Sequence, residues 1–131
     1  MIKKLISALK KPKKDESERP WGSYKILHED NNCKVKIITV MPGKRLSLQS
    51  HAKREELWVI TEGTAMMTLG VMKFTMKVGD KVKIPYHTKH RVENIGTVPL
   101  KFVEVQTGTY FGEDDIVRYE DDFGRIGWNL K

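Results

Sequence analysis

From Trp21 to Gln106 the chain reads as a series of short strands. Ser23-Tyr24-Lys25-Ile26-Leu27 and Lys34-Val35-Lys36-Ile37-Ile38-Thr39-Val40 are alternating or β-branched runs, parted by the polar turn Glu29-Asp30-Asn31-Asn32. Further runs follow at Leu46 to Gln49, Leu57 to Thr61, Ala65 to Leu69, Lys73 to Met76, Lys81 to Ile84, His90 to Glu93 and Leu100 to Gln106. Gly43, Gly63, Gly70, Gly79 and Gly96 punctuate them. Evenly spaced short strands with no long helical stretch among them predict an all-β sandwich or barrel. The start of the chain has a different rhythm. Ile2, Leu5, Ile6 and Leu9 stand at i, i+3, i+4 and i+7, one apolar stripe on a short helix that stops before Pro12. The chain therefore divides into a basic extension, residues 1–18, and a β domain, residues 19–131, whose part beyond Gly108 is acidic and aromatic.

A length of 131 residues allows one domain with a real core. The net charge of +7 suggests nucleic acid until it is located. Six lysines fall within the first fourteen residues, and taking them from the 24 basic residues leaves 18 against 17 acidic ones. The β domain is nearly neutral, and no basic groove for DNA or RNA is expected. No apolar run approaches the ~20 residues that cross a bilayer, and Leu5 to Leu9 is too short for a signal-peptide core. A cytoplasmic setting is expected. Cys33 is the single cysteine, which excludes an internal disulfide framework and a thiolate zinc cluster and reads as a small residue on a strand. A helix of some ten residues is marginal in water unless something packs on it. The stripe is thus expected to lie on the β domain or a second subunit rather than on a membrane.

Polar residues at fixed spacings between Gly43 and Asn94 change the picture. Gly43, five residues, Gln49, one residue, His51, four residues, Glu56, six residues and Gly63 form one half of a pattern. Gly79, Pro85, His90 and Asn94 form the other. Ser47, Gln49 and His51 share a face by strand parity, with Leu46 and Leu48 on the opposite one. Gln49, His51, Glu56 and His90 together offer an amide oxygen, two imidazoles and a carboxylate. That donor set suits a divalent transition metal with positions left open. Zinc is the first choice, with manganese, cobalt, nickel or iron as alternatives. The competing interpretation has two unrelated surface histidines and a Glu56 paired with Lys53 or Arg54. His28 and His87 lack such a frame; His28 is expected to be solvated and His87 to lie near the rim.

These two halves resemble the paired motifs of the cupin superfamily, a double-stranded β-helix or jelly roll. Arg19-Pro20-Trp21-Gly22-Ser23-Tyr24, Pro42-Gly43-Lys44-Arg45-Leu46-Ser47-Leu48-Gln49 and Gly112-Glu113-Asp114-Asp115-Ile116-Val117-Arg118 narrow the resemblance. They are similar to the C-terminal domain of type II phosphomannose isomerases, usually fused behind a mannose-1-phosphate guanylyltransferase. The resemblance implies a metal-dependent isomerase that interconverts mannose 6-phosphate and fructose 6-phosphate in GDP-mannose and polysaccharide precursor synthesis. Its departures are Ala52 and Lys53, where that branch commonly has histidines, and His87, where cupins usually have glycine. The glycine-rich phosphate loop of the fused guanylyltransferase is absent from these residues.

Around the expected metal, Glu104 and Gln106 share parity on the last strand. Glu104 is the candidate base, unless it pairs with a lysine on a neighbouring strand, and Gln106 is a substrate contact. Arg45 shares parity with Gln49 and is expected to face inward and grip the substrate phosphate, with Lys53 and Arg54 as further cations. The resemblance makes Arg118 a catalytic candidate, against the alternative that it is salt-bridged among acids. The expected partners are a small-molecule sugar phosphate and a second copy in a homodimer. A non-catalytic sugar-phosphate or sugar-nucleotide binding cupin, and metal-dependent oxygen chemistry, are the competing functions.

Overall fold

The computed structural model describes residues 16–128. The expected helix around Leu5 lies outside them. Within them the chain forms twelve strands: β1 (Glu16–Arg19), β2 (Gly22–Glu29), β3 (Cys33–Val40), β4 (Leu48–Ser50), β5 (Arg54–Glu62), β6 (Ala65–Leu69), β7 (Met72–Met76), β8 (Lys81–Ile84), β9 (His90–Asn94), β10 (Leu100–Gly108), β11 (Val117–Glu120) and β12 (Gly127–Trp128). They make two six-stranded antiparallel sheets, ordered β1-β2-β3-β10-β5-β8 and β12-β11-β4-β9-β6-β7. This is the all-β jelly roll expected of a cupin. The acidic C-terminal segment adds two strands that its sequence did not announce. The boundary drawn after residue 18 falls inside β1, which pairs with β2. Among the described residues no helix is long and apolar enough to cross a membrane.

Alternation fixes which side chains enter the space between the sheets. Along β3 every second residue is buried, and the same holds at Leu100, Phe102, Glu104 and Gln106 on β10. Register then sorts these inward positions by chemistry. Phe102 lies opposite Ile38 and Ile60, while Gln106 lies opposite Lys34 and Glu56. One end of the sandwich is therefore apolar, built from Ile38, Val40, Trp58, Ile60, Met67, Val92, Leu100 and Phe102. The other end carries charge. Asn94, the last residue of the spaced pattern, belongs to the apolar end. Its amide donates to the Val40 and Val98 carbonyls at 2.8 Å each, and its oxygen accepts from the Gly96 amide at 2.9 Å. Its buried amide thus ties down the exposed turn between β9 and β10.

Candidate metal centre

Three strands bring the expected ligands together. Gln49 on β4 lies opposite His90 at the start of β9. Glu56 projects inward from β5, and His51 follows the end of β4. His51, Glu56 and His90 are all buried, and their ligand atoms lie within 4.8 Å of one another. Second partners fix both imidazoles. His51 Nδ1 meets the Asp115 carbonyl at 2.7 Å, and His90 Nδ1 meets the Thr88 carbonyl at 2.9 Å. A carbonyl can only accept, so each Nδ1 carries the proton and each Nε2 presents a lone pair. Those Nε2 atoms face Glu56 at 3.3 and 3.9 Å.

The Nε2 of His90 is buried and has no hydrogen-bond partner among the described residues. A lone pair enclosed beside a carboxylate and a second imidazole fits a cation. Gln49 completes the set: its amide nitrogen donates to the Ser47 hydroxyl at 2.9 Å, leaving its oxygen as the donor atom for an ion. The protonation states agree. Burial drives His51 down to about 4 and lowers His90 as well, so both are neutral at physiological pH. Burial tends to raise the Glu56 pKa, but Arg54, His51 and His90 outweigh it and keep the carboxylate ionised. Two neutral imidazoles, one carboxylate and one amide oxygen fit a divalent cation.

Glu56 is also held from behind. Its oxygens accept from Arg54 Nε at 2.8 Å and from Trp58 Nε1 at 2.9 Å. The pairing of Glu56 with Arg54, weighed in the sequence as the alternative to a cage, is thus present together with the cage. The segment after β10 folds over this end. Glu113 pairs with Lys36, and the Asp115 carboxylate accepts from the Ala52 and Lys53 amides at 3.1 and 2.9 Å. Asp115 thereby sets both the turn after His51 and the tautomer of His51. Sequence reading passed over Asp115, Lys36 and Glu113 as site residues. The available signal was that Glu113 and Asp115 belong to the motif ending in Arg118.

A cavity of about 610 Å³, part of it open to solvent, adjoins the centre. Gln49, Glu56, Glu104 and Arg118 line it, with His51 and His90 just behind. Glu104 is buried, and burial followed by the charge of Glu56 raises its pKa well above the carboxylate range. Its lysine neighbour across the strands, Lys36, is taken by Glu113. Gln106 stands behind it, donating to Glu104 at 2.6 Å.

Two expected phosphate contacts lie elsewhere. Arg45 binds Asp122 through two 2.8 Å hydrogen bonds and borders a separate pocket with Leu48 and Arg91. The stretch before β4 is not a regular strand, so parity with Gln49 does not extend back to Arg45. For the same reason Leu46 turns into the core instead of outward. Lys53 is exposed and sits over the Tyr110 ring at 5.1 Å. His28 is exposed beside Asp30, and His87 is exposed in the turn before β9.

A jelly roll whose inner face carries this donor set defines a cupin. Comparison supports that: Bacillus subtilis oxalate decarboxylase, in a structure described by its Mn(II) centres, superposes with a TM-score of 0.70 at 25% identity, over 80% of this chain and 30% of that one. More narrowly, residues 8–121 match the family described as mannose-6-phosphate isomerase C-terminal, and the chain belongs to that family. A mannose-1-phosphate guanylyltransferase of Salmonella muenchen is 39% identical over 95% of this chain and 28% of its own length. The alginate biosynthesis protein AlgA of Pseudomonas aeruginosa is 46% identical over 84% of this chain and 23% of its own. The chain thus spans about a quarter of these curated relatives. They overturn the expected assignment as an isomerase of mannose 6-phosphate and fructose 6-phosphate. Their names state guanylyl transfer and alginate synthesis, and neither names that isomerisation.

Proposed function

We propose that the chain is a divalent-metal cupin domain that binds a phosphorylated mannose within an enzyme of sugar-phosphate metabolism. Its relatives' part in polysaccharide precursor synthesis supports this, as does the family to which it belongs. The observation that carries the reading is the buried, unpartnered Nε2 of His90 facing His51 and Glu56. Zinc is our first choice of ion, and manganese the alternative that the oxalate decarboxylase likeness supports. A bound cation would supply Lewis acidity to sugar oxygens. The chain's own groups do the rest. Burial and the charge of Glu56 push the Glu104 pKa up from the ordinary carboxylate range, so the cavity carries a group suited to acid–base work. Trp21, Tyr24 and Trp58 supply flat walls for a sugar ring.

Metal analysis of tag-free protein, followed by calorimetric titration with zinc and manganese, tests the reading. One ion per chain is expected, with His90→Ala and Gln49→Leu weakening uptake by about a hundredfold or more, beyond what outer-shell changes cause. Mannose 6-phosphate, mannose 1-phosphate and GDP-mannose are then titrated with and without metal. Uptake by His90→Ala equal to wild type, or indifference of all three ligands to the metal, would end the proposal.

A further inference from the structure

Five cations border the cavity: Arg19, Lys36, Arg54, Arg118 and Arg125. Four are engaged. Arg19 donates to the Glu18 carbonyl at 2.9 Å and the Tyr24 hydroxyl at 3.2 Å. Lys36 is paired with Glu113, Arg54 with Glu56 and Arg125 with Asp121. Arg118 makes no hydrogen bond or ion pair among the described residues, and its Nε is buried. An enclosed guanidinium nitrogen without an acceptor is costly, and the acids nearest to it are committed to other cations. Burial, then the charge of Arg125, pulls the Arg118 pKa down against the smaller opposing effect of Asp121 and Glu113.

Register places this side chain relative to the metal centre. Arg118 lies opposite Gln49, and Gln49 lies opposite His90, so the three form one row across β11, β4 and β9. Two strand spacings put the backbone of Arg118 roughly 10 Å from that of His90. That suits a ligand with its phosphate at one end and its metal-facing oxygens at the other.

We propose that Arg118, flanked by Arg19, is the phosphate anchor of this cavity and orients a phosphomonoester with its sugar toward Gln49 and His90. Its Nε and Nη groups form the fork that two phosphate oxygens accept from. This rests on the sugar-phosphate reading above and replaces Arg45 and Lys53, both of which lie outside the cavity.

The test is phosphorus NMR titration of zinc-loaded and zinc-free chain with inorganic phosphate and with mannose 6-phosphate. Wild type, Arg118→Met and Arg118→Lys are compared. Both ligands are expected to bind wild type, about tenfold or more weaker to Arg118→Met and between the two for Arg118→Lys, which keeps the charge but loses the fork. Zinc uptake is expected to be equal in all three. Affinity of Arg118→Met within about twofold of wild type, or no phosphate binding by wild type, overturns the inference. Should circular dichroism show Arg118→Met unfolded, wild-type affinity in Arg118→Lys overturns it instead. Phosphate binding that depends on Arg118 in a chain that takes up no zinc leaves the anchor standing and removes the metal reading. Normal zinc uptake with phosphate affinity indifferent to Arg118 does the opposite.

Discussion

The same three strands, β3, β5 and β10, build both ends of the sandwich, yet their inner faces do different work. Toward Leu100 the inward residues are Ile38, Val40, Ile60 and Phe102, all buried in the apolar cluster. Toward Gly108 they are Lys34, Lys36, Arg54, Glu56, Glu104 and Gln106, equally buried and charged or polar. Trp58 joins the two. It stacks on Phe102 with centroids 4.3 Å apart, meets His90 edge-on at 5.7 Å, and donates its indole N–H to Glu56. Burial at one end stabilises the fold. At the other it costs stability and shapes ligands instead, which is what a metal centre requires.

The largest test of this division is Phe102→Ala. Phe102 is fully buried in the apolar end, and its loss is expected to cost ~3–5 kcal/mol by denaturant unfolding. Zinc affinity measured well below the midpoint is expected to stay within a few-fold of wild type. If affinity collapses with stability, the two ends are one cooperative unit and the comparison fails.

Arg54→Met probes the polar end. It leaves the buried Glu56 carboxylate without its 2.8 Å partner, a loss of ~3 kcal/mol in the metal-free protein. A divalent cation beside Glu56 replaces the missing charge, so saturating zinc is expected to restore more stability to this variant than to wild type. Equal zinc-induced shifts in melting temperature would place the ion away from Glu56.

Most strands were legible because alternation and glycine spacing are local: β3, β6 and β8 fall where the sequence expected them. The clustering of His51, Glu56 and His90 was legible too, because Glu56 and His90 stand in strands and His51 directly follows one. Arg45 and Leu46 misled because parity fails once the chain leaves a regular strand before β4. The strands β11 and β12 were hidden because Val117–Glu120 has little alternation and is held by pairing with β4, a partner distant in sequence. Lys36 was hard to assign to the interior because both faces of β3 carry apolar residues. Lysines are rarely buried unless paired, and the acid that pairs with Lys36, Glu113, lies in the distant segment after β10.

Burial of Glu104 gives a smaller effect with a definite sign. Its folded pKa is raised above the ordinary 4.5, so its stabilisation is present at low pH and lost as pH rises toward the folded value. His51 acts oppositely: it is lowered from 6.5 to about 4, so stability is gained with rising pH across that interval and not above it. From pH 6.5 to about 8 the Glu104 contribution acts without that opposition. The metal-free protein is expected to lose up to about 1.4 kcal/mol per pH unit there. Glu104→Gln is expected to flatten the decline, and a slope the same as wild type would show that Glu104 is already ionised at neutral pH.

The smallest effect concerns the turns. At the apolar end the turn residues with positive φ, Gly43, Gly63 and Gly79, are glycines, whereas the turn over the candidate metal centre has His87 at φ 61°. Among the described residues no other non-glycine adopts positive φ. A side chain there costs ~1–2 kcal/mol against glycine, while glycine loses roughly 0.5–1 kcal/mol of that through the freedom it gains when unfolded. His87→Gly is therefore expected to raise stability by up to about 1 kcal/mol. The His87 amide still reaches the His51 carbonyl at 2.7 Å, so zinc affinity is expected to be unchanged. A stabilised variant with weaker zinc binding would mean that the strained turn tunes His51 through that hydrogen bond, and that the polar end extends to its roof.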